Sequence, residues 1–229
     1  IILLCVPVLH VLQKLGEEGF LKLDDPLAYL QAELIKTIHA IDSNQSKLIY
    51  DAIVHANPGG LGKDREMDVR FANVKIIDAM RQAKDKDFIA KQYFSGFSEI
   101  LKQPLLQENF RRQWINKEKP INPCGRQFLA SLIYFYWLTN TRDSHIQRKF
   151  GLRVAEFVKK KAIKVFQDQI NFENVLNKVN NGKIWLPNRS RIRQFDEFLK
   201  VRGLNPGTSA DITVCSLLIF GLLEPDYPA

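Results

Sequence analysis

The chemistry-bearing residues of this chain gather in three short stretches, each beside a helical pattern. In the first, Asn205-Pro206-Gly207-Thr208-Ser209-Ala210-Asp211 runs straight into the apolar segment from Ile212 to Leu223. Asn-Pro-Gly is turn chemistry. Thr208 and Ser209 are N-cap residue types, and the pattern predicts a helix from Ala210 with Asp211 in its first turn. Backbone N–H groups at such a turn can hold phosphate oxygens, and Asp211 could hold a divalent cation that bridges phosphates. The plainer reading is a well-capped core helix. In the second stretch, Arg142-Asp143-Ser144-His145-Ile146-Gln147-Arg148-Lys149-Phe150-Gly151, the side chains of Arg148 and Lys149 suit phosphate, with Arg the better bidentate partner. His145 is a candidate general base, although most lone histidines are structural or merely exposed. Asp143 could equally be an N-cap. In the third, Asn57-Pro58-Gly59-Gly60-Leu61-Gly62 precedes Asp64, Glu66, Asp68 and Arg70. The glycines Gly59, Gly60 and Gly62 could approach a phosphate, but no strand and no Lys-Ser/Thr accompany them, and a helix-breaking linker explains them equally. The carboxylates beside them could share Mg²⁺ with a triphosphate or form a solvated acidic loop.

Taken in order, the three stretches resemble the triphosphoribosyl-dephospho-CoA synthase family. Its members carry an Asp-Thr-x-Ile-x-Arg-Lys-x-Gly-like stretch and later an Asn-Pro-Gly-Thr-Ser/Thr-Ala-Asp-Leu-like loop. Asp143, Ile146, Arg148, Lys149 and Gly151 match the first, and Asn205 through Asp211 the second, with Ile212 in place of Leu. Pro58-Gly59-Gly60-Leu61-Gly62 followed by Asp68-Val69-Arg70 is similar to a sub-branch linked to tetrahydromethanopterin-dependent one-carbon metabolism. The resemblance implies transfer of the ribosyl triphosphate of ATP to a ribose hydroxyl of 3′-dephospho-CoA, with release of adenine. It implies ATP and a CoA-like or other anionic molecule as partners and Mg²⁺ as cofactor. It implies catalytic roles for Asp68, Asp143 and Asp211, metal binding by Asp68 and Asp211, and nucleotide binding by Gly59, Gly60, Gly62, Arg148, Lys149, Asn205, Gly207, Thr208 and Ser209. Carboxylates there would stabilise positive charge at the anomeric carbon or take up the hydroxyl proton. The family's Lys-Pro-Gly-containing motif and Gly-x-His-like element do not occur here, and Ile1 opens within an apolar run; the expectation is a native N-terminal segment before it. Two other functions stay open: a different transferase or ligase of one-carbon cofactor metabolism, and a non-catalytic nucleotide-binding or scaffold protein.

These groups must be positioned by helices. Apolar residues recur at helical spacing through Leu27–Ile41, Ser43–Val54, Val74–Ala83, Asp87–Leu101, Gly125–Leu138, Gly151–Gln167, Arg189–Arg202 and Ala210–Leu223. Asp25 and Pro26 supply an N-cap and an N1 proline for the first. The segment 170–186 is ambiguous, with a turn at Asn180-Asn181-Gly182 and a short extended piece at Ile184-Trp185-Leu186. Alternation at period two is nearly absent. The prediction is an all-α, single-domain bundle of roughly eight to ten helices, with Gly125–Leu138 and Ile212–Leu223 central in the core.

Composition sets bounds on the rest. The chain has 229 residues, 45% hydrophobic and 25% charged, enough for a sizeable core. A formal charge of +8 favours anionic partners. The basic residues are scattered, which argues against a nucleic-acid interface; Lys159-Lys160-Lys161 and Arg189-x-Arg191-x-Arg193 read as solvated faces. Three widely spaced cysteines give no zinc spacing and suit a reducing cytoplasm. No apolar run is long enough to span a membrane. No nucleophile elbow, Ser/His/Asp order or Rossmann fingerprint is present, which disfavours hydrolase and dehydrogenase chemistry. Homo-oligomerisation is left open.

Overall fold

Proline at position 7 removes the N–H that would pair with the Leu3 carbonyl in the first helix, and the structure shows what replaces it. The Tyr93 hydroxyl donates to the Leu3 oxygen at 2.6 Å. The computed structural model describes residues 1–56, 74–117, 123–166 and 189–224. Among these it contains thirteen α-helices, one 3₁₀ turn and no strand. The chain is all-α. It divides into two compact units, residues 1–101 and 102–229.

The first unit comprises α1 (Ile2–Leu15), α2 (Glu17–Leu21), α3 (Pro26–Ala40), α4 (Ser43–Ala56), α5 (Ile76–Ala83), α6 (Phe88–Ser95) and α7 (Ser98–Leu101). Helix α3 begins as the sequence requires: Asp25 accepts from the Ala28 N–H and Pro26 occupies the first turn. Its buried stripe Leu30, Leu34 and Ile38 packs against α1, α5, α6 and α7. A capping box opens α4, with Asp42 and Gln45 exchanging side-chain-to-backbone bonds of 2.8 and 3.0 Å. Helix α5 has no side-chain cap of its own. Ser46 of α4 supplies one, accepting from the Ile76 N–H at 2.8 Å in a buried contact.

The Asp87–Leu101 segment predicted as one helix is two. Asp87 caps α6 through the N–H groups of Ile89 and Ala90. At its end Gly96 and Phe97 both take positive φ (60° and 62°), and the Phe97 N–H returns to the Gln92 carbonyl at 2.7 Å. This is a Schellman stop, and its signal was the lone glycine. The glycine is also required by space. A methyl group at Gly96 would lie 2.3 Å from Cγ1 of Ile35.

The second unit runs through a 3₁₀ turn (Pro104–Leu106), α8 (Glu108–Lys117), α9 (Pro123–Asn140), α10 (Ser144–Phe150), α11 (Leu152–Phe166), α12 (Arg189–Val201) and α13 (Gly207–Leu223). The two helices expected at the centre of the core pack along each other. Leu129, Leu132, Ile133, Trp137 and Leu138 of α9 are buried, as are Ile212, Cys215, Ile219, Phe220 and Leu223 of α13. Inside this apolar contact Ser216 is a polar hub. Its hydroxyl oxygen accepts from Gln103 Nε2 at 2.7 Å and Trp137 Nε1 at 3.3 Å, and it donates to the Ile212 carbonyl. A second cluster gathers Leu138, Ile146, Ala155, Val158, Ala162, Phe195, Leu199 and Leu204 from α9 to α12 and the loop after α12. At the far end of α13, the buried Arg111 guanidinium donates to Glu224 Oε1 at 2.8 Å and to the Leu106 carbonyl. The predicted turn and extended piece within 170–186 lie outside the described residues.

Two stability outcomes are expected. Gly96→Ala adds positive-φ strain to the overlap with Ile35 and should destabilise the protein by about 1–3 kcal/mol; Ile35→Ala in the same chain should recover only the overlap part. A Gly96→Ala protein that melts with the wild type would refute this. Ser216→Ala removes the hydroxyl that Gln103 and Trp137 donate to and should cost about 1–3 kcal/mol by denaturant titration.

Candidate functional site

Two of the three sequence stretches meet directly. Asp143 lies just before α10, and its carboxylate is 2% exposed. Oδ1 accepts from the Ile146 N–H of its own helix at 3.0 Å. Oδ2 accepts from the Ser209 N–H at 2.8 Å and the Ser209 hydroxyl at 2.9 Å, across 66 residues of sequence. The exchange is reciprocal. The Thr208 hydroxyl oxygen of α13 accepts from the His145 N–H at 3.0 Å and pairs with the Ser144 hydroxyl at 3.0 Å. Each helix therefore provides a side chain that caps the other. One carboxylate faces the positive ends of two helices, which is where a negative charge is stabilised.

The loop before α13 explains the Asn-Pro-Gly sequence. Pro206 has φ −74° and ψ 61°, and the Gly207 N–H donates to the Asn205 carbonyl at 2.8 Å: an inverse γ-turn. The helix starts at Gly207, three residues earlier than predicted. Thr208 and Ser209 are its second and third residues rather than its N-caps. They are spent on the neighbouring helix. For the same reason Asp211 sits beyond the first turn, a correction to its expected place at the helix terminus. Apolar anchors hold both stretches in register, since Ile146 and Leu204 are buried in the same cluster. Upstream, a Schellman stop at Gly203 (Leu204 N–H to Leu199 carbonyl, 2.9 Å) aims the chain into the loop. Downstream of α10, Gly151 has φ 88° and ψ 165°, a backbone region that essentially only glycine occupies.

The remaining predicted groups lie around this junction in different settings. Ser209 and Thr208 are buried and their side chains are engaged. Asn205, Arg148 and Lys149 are exposed, and Asp211 and Gly207 are half-buried. Arg148 and Lys149 occupy the last turn of α10, where cations also complement the helix dipole. His145 is half-buried with its ring against Gly207; a methyl group there would lie 3.4 Å from both Cγ and Nδ1. The Tyr134 phenol on α9 is pushed well above its usual range, first by burial and then by the Asp143 and Asp196 carboxylates. Gly59, Gly60, Gly62 and Asp68 lie outside the described residues. Sequence reasoning missed the clasp itself. Its signal was present as two capping-type clusters, Asp143-Ser144 and Thr208-Ser209, each at the head of a helix.

The fold and the junction define an all-helical protein whose two polar motifs are fused at helix N-termini. Residues 1–228 match the model of the CitG family, described as ATP:dephospho-CoA triphosphoribosyl transferase, and the chain belongs to that family. No curated protein matches the chain. No solved structure matches it either. The family is one of enzymes, and its reaction is ATP-dependent transfer of triphosphoribosyl to dephospho-CoA, so ATP and dephospho-CoA are the substrates. Among the described residues no helix is long and apolar enough to cross a membrane.

The clasp makes a quantitative demand. Asp143→Asn turns an NH₂ group toward N–H donors and should destabilise by about 1–3 kcal/mol. Ser209→Ala keeps the backbone donor and should cost about 1 kcal/mol. Equal melting temperatures for wild type and Asp143→Asn would show that the carboxylate holds nothing together.

Proposed function

We propose that the α10–α13 junction is where this transferase holds the triphosphate of ATP and the ribose carbon it transfers. The supporting observation is the hydrogen-bonded union of the two motifs by Asp143, Ser209 and Thr208. Helical spacing extends polar groups from that union along both helices. Gly207 and Asp211 are four residues apart on α13, and His145, Arg148 and Lys149 fall at i, i+3 and i+4 on α10. A carboxylate and two cations thus descend from one rigid point. Arg148 suits bidentate contact with phosphate oxygens, Lys149 adds charge, and Asn205 is exposed in the loop before α13.

The roles divide by environment. Both oxygens of Asp143 already accept N–H or O–H donors, and the group is buried. It acts through what it holds rather than on substrate or metal. Asp211 is the carboxylate of the junction that fits Mg²⁺, because such sites combine one or two carboxylates with phosphate oxygens and water. Bound there, Mg²⁺ would neutralise phosphate charge. In the transfer, an acceptor ribose hydroxyl bonds to the anomeric carbon as the bond to adenine breaks, and positive charge develops on the sugar. A fixed carboxylate nearby stabilises that charge more than it stabilises the ground state.

Asp211→Asn separates this reading from a structural role. As a residue of the helix body it should change stability by no more than about 1 kcal/mol. As a site residue it should cut adenine release from ATP plus dephospho-CoA by roughly 100-fold or more and weaken Mg²⁺-dependent ATP binding. Full turnover at an unchanged Mg²⁺ requirement would remove Asp211 from the site.

A further inference from the structure

We propose that His145 accepts the proton of the attacking hydroxyl in the triphosphoribosyl transfer, an assignment that rests on placing the triphosphate at the α10–α13 junction. The backbone of His145 is fixed by its N–H bond to Thr208 at 3.0 Å, and Ser144 before it is tied to the same hydroxyl. Its ring edge, Cγ and Nδ1, lies against Gly207, the first residue of α13. The second motif thus fixes the His145 backbone and lies beside its ring. Yet among the described residues neither ring nitrogen has a hydrogen-bond partner. Half-buried, the ring can offer a nitrogen to water or to a substrate. It is anchored at the junction with its acceptor available.

The other groups at the junction do not fill the same role. Asp143 is buried with both oxygens occupied. Asp211 is assigned above to Mg²⁺ and the charge on the sugar, and a carboxylate so used is a poor proton acceptor. Arg148 and Lys149 are cations. His145 is the single histidine of the second unit, and imidazole is the side chain best matched to proton transfer near neutral pH. The step balances as follows. The hydroxyl oxygen bonds to the anomeric carbon, the carbon–nitrogen bond breaks with its electron pair going to adenine, and the hydroxyl proton moves to the unprotonated ring nitrogen of His145. Adenine takes a proton from solvent and leaves neutral.

The test uses His145→Ala and His145→Gln in the intact chain, with adenine release, ATP binding by calorimetry and melting temperature measured for each. The expectation is a fall in dephospho-CoA-dependent adenine release of about 10²- to 10⁴-fold, with ATP binding and melting temperature close to wild type. Added imidazole should restore part of the His145→Ala activity and none of the His145→Gln activity, whose side chain fills the space. Wild-type turnover in either variant, loss of ATP binding in both, or absence of rescue in His145→Ala overturns the assignment. The underlying placement fails separately. If Asp211→Asn keeps ATP binding and turnover, the junction is not the triphosphate site, whatever the histidine variants do.

Discussion

A buried carboxylate must be surrounded by hydrogen donors or its oxygens go unsatisfied at a cost, and the arrangement of the second unit follows from how Asp143 meets that requirement. Its donors come from the first turns of two helices that are remote in sequence. Those turns carry N–H groups that no intrahelical acceptor can satisfy. The carboxylate and the helix termini therefore solve each other's problem, and the solution exists only when α10 and α13 meet at one relative position. Thr208 repeats the logic with a neutral oxygen in the opposite direction. The aspartate is short enough to cap its own helix while its second oxygen reaches the next. Ile146 and Leu204 then fix the depth of both segments in one apolar cluster, so polar and apolar constraints select the same geometry.

Borrowed caps recur elsewhere in the chain. Helix α13 follows Pro206, which offers no side-chain cap, and takes one from Asp143. Helix α5 starts after Lys75 with none and takes one from Ser46 of α4. Leu3, whose carbonyl is orphaned by Pro7, takes a hydroxyl from Tyr93. In each case a local defect in the hydrogen-bond ladder becomes a tertiary contact. An exposed defect would be solvated by water at little cost. A buried one must be met by the protein, and that makes it specific.

Legibility follows the same division. Helices whose signals are local were readable: α3 from Asp25, Pro26 and its Leu30-Leu34-Ile38 stripe, α11 from its apolar face, and α13 from its continuous apolarity. The break at Gly96 and Phe97 was not, because apolar periodicity continues across it and masks the lone glycine, whose positive φ and close approach to Ile35 only the fold displays. The start of α13 was misplaced because Thr208 and Ser209 have cap chemistry that they direct to another helix. Propensity names the residue type that caps, and only the fold names the helix that receives the cap. For the candidate site, the motif residues were legible as Asp143 to Gly151 and Asn205 to Asp211. Their division into clasp and open groups was not, since Ser209 and Asp211 look equally polar in sequence and differ only by the direction in which the helix turns them.

That direction has a consequence for how the family's motifs should be understood. Within six residues, Asp143, Ser144 and Ile146 are buried, while His145 is half-buried and Arg148 is exposed. Within five, Thr208 and Ser209 are buried, while Gly207 and Asp211 are half-buried. The helical period interleaves two kinds of residue in each motif, one that locks the helix ends together and one that the lock presents outward. A motif that had to do only one of these would need fewer polar residues. Because the inward set is fully hydrogen-bonded and desolvated, its geometry is rigid. The outward set inherits that rigidity at a distance of one turn. Groups held this way reorganise little when charge develops beside them, which is the property that an electrostatically stabilised transfer requires of its surroundings.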